Sequence, residues 1–481
     1  MADNKSEQEI PICVDLDETL ISSDSLADSI FCAIKNHPHI IFLLPFWILK
    51  GKFYFKKRIL HYYQINPETL PYRAEILDFL KQKKSEGRKI ILITASLQEV
   101  ADSVANYLGI FDGSYGTSSK KNLKAANKTL FLVDKYGKAG FDYIGDSKAD
   151  LAVWEKARKS VLVEPSSKIL KKVKSFNNIE KVFIGKKNYL MLILKEIRVH
   201  QWLKNFLIFL PLLMAHKLDH IELIIKSITA FFSFSFVASF VYVINDLLDI
   251  DSDRKHPRKK NRPIASGNLS IKIALIIGLI LLIFGMGSSL IFLSTEFSIV
   301  LLIYLLITTL YSFYLKKIYI LDIFILSMLY TIRLIGGAVA IDVVVSKWLL
   351  AFSVFLFLSL AILKRFTELR VMQMENKSKT SGRGYNVDDL NLISILGPTS
   401  GYLSVVIFTL YIYSPEVLKL YSVPELLWPV AIFILLWITR IWFLANRNEM
   451  DDDPIVFAVK DKTSHLIFTI ITILIILATI L

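Results

Sequence analysis

The chain has 481 residues, 53% of them hydrophobic, and a formal net charge of +14. That apolar content puts much of the chain in a bilayer, rather than in the roughly three soluble domains its length would otherwise allow. The positive charges recur between apolar stretches, so they read as membrane topology and contact with anionic lipid, and nucleic acid is excluded as the partner. Cys13 and Cys32 give no disulfide framework and fit a reducing, cytoplasmic setting. The polar, acidic N-terminus reads as carrying no secretory signal.

Residues 1–190 read as a soluble α/β domain. Residues 10–14, 89–93 and 141–144 are short buried-strand patterns with charged helical patterns between them, as in a parallel sheet with crossover helices. Each runs into a polar cluster: Asp15-Leu16-Asp17-Glu18-Thr19, Thr94-Ala95-Ser96, and Gly145-Asp146-Ser147-Lys148-Ala149-Asp150. Functional groups in such sheets gather beyond the carboxyl ends of the strands, which is where all three clusters fall.

The succession D-x-D-x-T, a strand ending in Thr, a Lys, then G-D-S-x-x-D resembles the haloacid dehalogenase superfamily of phosphatases. The resemblance implies that Asp15 is the nucleophile taking the phosphoryl group, Asp17 the general acid–base and Thr94 a phosphate ligand. Lys128 would steady the nucleophile and phosphate, and Asp146 would join Asp15 on Mg²⁺ with Asp150 in support. The residue types suit the chemistry, since a carboxylate attacking an anionic phosphate needs a metal and a lysine to offset repulsion. Lys121, Lys124, Lys135 and Lys138 crowd the same region and keep the choice of lysine open. A structural copy without activity is the competing reading.

Residues 39–50 (HIIFLLPFWILK) are apolar but too short to span a bilayer, and Pro45 interrupts them. They read as the core of a helical cap. With Lys50, Lys52, Lys56, Lys57 and Arg58 following, they equally fit a cap resting on the membrane surface.

Residues 191–481 read as an all-α polytopic membrane domain. Apolar stretches near the ~20 residues a crossing helix needs fall at 200–218, 222–245, 271–294, 297–314, 319–341, 347–366, 391–413, 425–446 and 463–481. That predicts about nine spans, the first shortened by Pro211. Loops around 254–262, 316–317, 364–383 and 440–462 are basic, and the intervening ones carry few cations. The positive-inside pattern therefore predicts a multi-pass protein of the plasma (inner) membrane with its N-terminal domain and active sites cytoplasmic.

The most informative stretch is residues 245–267, NDLLDIDSDRKHPRKKNRPIASG. If the preceding helix continues, Asp246, Asp249 and Asp253 lie within roughly 60° of one another, because offsets of three and seven return to one face. Three stacked carboxylates call for a cation, and hard oxygen ligands suit Mg²⁺ bridging to substrate phosphates. Lys259 and Arg262 would then hold outer phosphate oxygens. The plain alternative is an acidic helix end followed by a basic loop.

N-D-x-x-D-x-x-x-D, beginning at Asn245, is similar to a signature of the UbiA-type prenyltransferase superfamily. The continuation His256-Pro257 and Arg262-Pro263-Ile264-Ala265-Ser266-Gly267 resembles its decaprenyl-phosphate phosphoribosyltransferase branch, which uses phosphoribosyl diphosphate and a polyprenyl phosphate. Arg198-Val199-His200-Gln201-Trp202-Leu203-Lys204-Asn205 is similar to the opening of that branch, which implies that Lys204 and Asn205 approach the substrate. Lys316, Asp322, Tyr330 and Arg333 form a further polar group around the fifth span, where ionised side chains are costly unless they face a wet cavity or each other. The superfamily's second acid motif pairs acids four apart. Leu326 stands where the second acid would be, leaving Asp322 alone to assist the metal and favouring a small donor held by Lys and Arg. Gly336-Gly337 reads as a place for close helix packing.

The sequence thus predicts a Mg²⁺-dependent transferase moving 5-phosphoribose to a polyprenyl phosphate, fused to a phosphatase domain acting on the product. Prenyl transfer from a prenyl diphosphate is the alternative within the family. A transporter with a regulatory head is disfavoured, because the charges crowd one end of the spans rather than the midplane.

Overall fold

The computed structural model describes residues 9–119, 122–185, 187–374, 384–450 and 453–481. The chain divides into two compact units, Met1–Ile197 with Val243–Ile277, and Arg198–Tyr242 with Gly278–Leu481. Composition marks the start of the apolar spans near residue 190. Packing gathers the acidic stretch after residue 243 with the N-terminal unit.

The first unit is built on a six-stranded parallel sheet in the order β3-β2-β1-β4-β5-β6. Its strands are β1 (Ile12–Val14), β2 (Ile90–Leu97), β3 (Gly113–Thr117), β4 (Asp142–Gly145), β5 (Ser160–Val163) and β6 (Ile179–Phe183). Three of these follow the buried-strand patterns in the sequence. The sequence pattern did not single out β3, β5 and β6. Alternation sends Ile12, Val14, Leu92 and Ile144 into one core and Cys13, Ile91, Ile93 and Tyr143 into the other. Both faces of the sheet are therefore buried, as parallel sheets require. β1 pairs with β2 on one side and β4 on the other, so the strand order reverses at the centre of the sheet. That reversal is where doubly wound sheets place their ligands.

Between β1 and β2 the chain leaves the sheet to form α1 (Ser25–Asn36), α2 (Leu44–Leu49) and α3 (Lys52–Tyr62). Asp24 caps α1 by accepting from the N–H groups of Leu26 and Ala27. Ile40 and Trp47 bury themselves beneath this cap. Ile41, Phe42, Phe46, Ile48 and Leu49 stay 50, 77, 63, 60 and 84% exposed.

Among the described residues, eight helices are long and apolar enough to cross a membrane: Ile221–Leu248, Ile271–Phe292, Thr295–Phe313, Leu321–Ala340, Lys347–Met374, Val387–Ile412, Pro424–Asn446 and Lys462–Ile480. The chain is a multi-pass membrane protein. The first of the about nine stretches expected is not among these eight. The first predicted span is instead a 3₁₀ helix, Val199–Phe209, followed by a short α-helix, Leu210–Met214. Pro211, lacking an N–H, stands at the start of the second piece, and neither piece approaches the ~20 residues needed. Lys204 and Asn205 are buried in the 3₁₀ piece as polar groups rather than presented to lipid. Within the second unit, Gly336 and Gly337 allow close approach, since a Cβ on Gly337 would lie 2.1 Å from the Ile208 carbonyl oxygen.

Candidate functional site

At the carboxyl edge of the central strands, Asp15 follows β1 and its N–H donates to the Ile144 carbonyl of β4. Lys128 enters from the helix Ala126–Tyr136. Its Nζ lies 2.7 Å from Asp15 Oδ2 and 3.5 Å from Asp150 Oδ1, and it donates to the Tyr143 hydroxyl at 2.8 Å. Tyr143 in turn donates to Asp150, whose other oxygen accepts from the N–H and hydroxyl of Ser147. Of the crowded lysines, Lys128 is the one buried against Asp15. Lys121 lies outside the described residues.

Asp17 accepts from the Ser25 N–H at 2.7 Å and from Ser96 Oγ at 2.8 Å. Thr94, fully buried, accepts from the Ser96 N–H through its hydroxyl oxygen, which leaves the hydroxyl proton to donate elsewhere. Asp146 accepts from Thr19 at 2.9 Å. Ser25, Ser96 and Thr19 were not singled out in the sequence, and serine and threonine beside acids are too common to stand out there.

Among the described residues, Asp15, Asp146 and Asp150 form a group whose ligand oxygens all lie within 4.8 Å of one another. Burial raises the Asp15 carboxyl to about 7 against the pull of Lys128. Burial, reinforced by the Asp150 and Asp15 charges, raises Asp146 to about 8. Burial also works against the Lys128 ammonium, yet Asp15 and Asp150 hold it above its ordinary range. Three crowded carboxyls facing one ammonium leave an excess of negative charge. The oxygen-only donor set fits a hard divalent cation, and Asp15 and Asp146 are the residues that could hold it.

The acidic stretch also belongs to the first unit. The helix Ile221–Leu248, α4, is followed by α5 (Ile250–Lys255), and Asp249 at the junction has departed from helical backbone. Asp246 and Asp253 are buried and close on one guanidinium, with Arg262 Nη1 3.0 Å from Asp246 Oδ1 and also paired with Asp253. Arg262, expected on a phosphate, thus lies between two acids of the motif. Asp249 pairs with Lys35 at 2.7 Å. Burial raises the Asp253 carboxyl despite Arg262. Asn245 is half-buried on α4, and Lys259 lies exposed in a short 3₁₀ turn, Lys259–Asn261.

In the second unit, Asn205 accepts from Arg333 Nε at 2.7 Å and donates to Ser235 at 2.9 Å. Arg333 also donates to the Tyr304 hydroxyl. Lys204 pairs with Asp453, and Lys364 Nζ stands 3.7 Å from the same carboxylate. Asp322 is fully buried, accepts from the Tyr311 hydroxyl and pairs with Arg365, which also holds Glu368. A guanidinium is therefore the partner of the lone acid of the second motif. Lys316 is half-buried in the turn Leu315–Lys317. Burial alone would raise the Asp453 carboxyl, but Lys204 and Lys364 bring it down to about 2. Asp453 was not picked out in the sequence, where its only signal is an acid in an otherwise basic loop.

A model of the UbiA prenyltransferase family matches residues 206–478, more than half of the sequence. The chain belongs to the UbiA prenyltransferase family. Protein y4nM of Sinorhizobium fredii is 37% identical over 468 residues, 97% of this chain and 90% of that protein. Decaprenyl-phosphate phosphoribosyltransferase of Mycobacterium tuberculosis is 34% identical over 185 residues, covering 38% of this chain and 61% of that enzyme. A solved phospho-aspartyl intermediate analogue of phosphoserine phosphatase covers 38% of this chain and 97% of that one, at 13% identity and a TM-score of 0.26. This UbiA family member is thus an enzyme of the transferase class.

Proposed function

We propose that this UbiA family member transfers 5-phosphoribose from phosphoribosyl diphosphate to a polyprenyl phosphate, and that its phosphatase domain then removes the 5-phosphate. The observation that carries the first step is the 34% identity to a decaprenyl-phosphate phosphoribosyltransferase, joined to the single acid motif and its R-P-I-A-S-G continuation. Asp246, Asp249 and Asp253 would hold Mg²⁺, which when bound would supply positive charge to a leaving diphosphate. Arg262, which pairs with Asp246 and Asp253, and Lys259 would offer cations to the phosphate oxygens of the donor. Lys204, Asn205, Lys316 and Arg333 hold phosphate or ribose oxygens, and Asn245 supports the donor. Asp322 keeps Arg365 in place. The bond from the anomeric carbon to the diphosphate oxygen breaks, and a lipid phosphate oxygen bonds to that carbon.

In the phosphatase domain Asp15 attacks phosphorus while Asp17 protonates the departing ribose oxygen. Water then hydrolyses the aspartyl phosphate with Asp17 accepting its proton. Lys128 and Thr94 hold phosphate oxygens, and Asp15 with Asp146 would hold a second Mg²⁺. The exposed apolar cap over residues 41–49, followed by Lys50, Lys52 and Lys57, supports placing this domain against the cytoplasmic face of the plasma (inner) membrane, where a lipid-linked phosphate would emerge. Tethering raises the effective concentration of that product without a new contact.

The test is incubation of purified protein and Mg²⁺ with radiolabelled phosphoribosyl diphosphate and a polyprenyl phosphate. Label in the organic phase supports the reading. Transfer from a prenyl diphosphate alone would replace it with prenyl transfer.

A further inference from the structure

Helix α1 touches two chemistries. At its N-terminus the Ser25 N–H donates to Asp17, and the Ser25 hydroxyl bonds Ser96, which donates to the other oxygen of Asp17. Farther along, Asp28 forms an ion pair with Arg254 at 2.8 Å, with both side chains buried. Two turns later Lys35 Nζ lies 2.7 Å from Asp249 Oδ1 and 3.0 Å from Ser252 Oγ. Arg254 follows Asp253 directly in the chain, and its Nε donates to the Ala265 carbonyl at 2.8 Å. One guanidinium thereby ties α5 to the segment that continues from Arg262.

The attachment is close elsewhere too. Ser22 donates to the Ser266 carbonyl at 3.0 Å, and Thr69 donates to Asp251 at 3.2 Å. Gly267 has a φ of +71°, and a Cβ there would lie 2.2 Å from Ser22 Oγ, so a larger residue would force the two segments apart. A buried ion pair is weak evidence for stability as such, but losing one member strands the other charge out of water. Asp28 and Arg254 therefore fix the position of α5 strongly, whatever they add to overall stability.

We propose that Asp28 and Lys35 of the phosphatase domain are positioning residues for the transfer reaction, aligning Asp253 and Asp249 for the Mg²⁺-bound diphosphate donor. This rests on the assignment of the three aspartates to the donor. Residues that orient metal ligands without touching the metal change affinity by about 10- to 100-fold when removed. Asp28 acts through Arg254 on α5, and Lys35 acts directly on the Asp249 carboxylate.

The experiment uses the full chain in nanodiscs, with radiolabelled phosphoribosyl diphosphate and Mg²⁺ but no acceptor lipid, so that equilibrium binding is read without turnover. Asp28→Asn and Lys35→Met should each weaken donor binding about tenfold or more. Lys35→Arg, which keeps the cation, should bind as the wild type does. Hydrolysis of p-nitrophenyl phosphate should stay at the wild-type rate in all three, which separates positioning from a general loss of structure. Lys35 is partly exposed, so Lys35→Met remains decisive if Asp28→Asn does not fold. Wild-type binding with unchanged binding by Lys35→Met would overturn this inference alone. Wild-type protein that binds no donor would overturn the donor assignment and this inference with it.

Discussion

Lys128 Nζ lies 2.7 Å from Asp15 Oδ2, with the Tyr143 hydroxyl and Asp150 completing its surroundings. The lysine is held by two acids and a phenol, so its charge is fixed where a phosphoryl group would arrive. Lys128→Met should lower hydrolysis of p-nitrophenyl phosphate by about 10²–10³-fold, the usual loss when a preorganised donor is removed from a transition state. Lys124→Met and Lys135→Met should leave the rate near wild type. Steady-state rates of the three variants decide which lysine serves the nucleophile.

The Asp15 and Asp146 carboxyls, raised to about 7 and about 8, give this acid cluster a defined response to pH. Below these values the carboxyls carry protons, which an incoming Mg²⁺ must displace. Above them the acids are already ionised. Mg²⁺ affinity should therefore rise with pH between 6 and 8, by about tenfold per pH unit for each proton displaced, and level off above. The half-saturating Mg²⁺ for p-nitrophenyl phosphate hydrolysis checks this, and a flat profile from pH 6 to 8 would contradict the raised values.

Leu49, 84% exposed beside Phe46 and Ile48, tests the cap. Cys13 and Cys32 are both buried, so Leu49→Cys should take a spin label selectively. In proteoliposomes containing anionic lipid, that label should be reached by oxygen in preference to a water-soluble nickel reagent. The opposite preference would place the cap in water and leave the apolar patch without its proposed contact.

Asp453 and Lys204 are 249 residues apart in the chain yet paired in the second unit. Asp453→Asn should leave Lys204 and Lys364 facing each other with no anion between them. Transfer should then fall by about tenfold, in the range for breaking a buried, charged hydrogen bond. Radiolabel transfer by Asp453→Asn beside Lys204→Ala measures it, and a wild-type rate in Asp453→Asn would show that transfer does not depend on the pair.

Local patterns in this chain were legible and distant pairings were not. β1, β2 and β4 were readable because each is a short apolar run ending in acids, Thr or Ser. Most of the crossing helices were readable because length and apolar content suffice. The segment Val199–Phe209 is apolar in sequence, and its 3₁₀ form with Lys204 and Asn205 buried is visible only in the fold. Offsets of three and seven residues put Asp246, Asp249 and Asp253 on one helix face. Lys35 draws Asp249 to itself while Arg262 takes the other two, and neither pairing is visible without the fold. Asp28 with Arg254, like Asp453 with Lys204, joins segments too far apart for periodicity to connect.

The most direct measurement of the account as a whole compares the full chain with its Asp15→Asn variant. Each is supplied with Mg²⁺, phosphoribosyl diphosphate and a polyprenyl phosphate, and the lipids are analysed by mass spectrometry. The variant should accumulate lipid-linked 5-phosphoribose, while the wild type should accumulate lipid-linked ribose and release inorganic phosphate. Identical lipid products from the two proteins, or no ribose on the lipid in either, would contradict it.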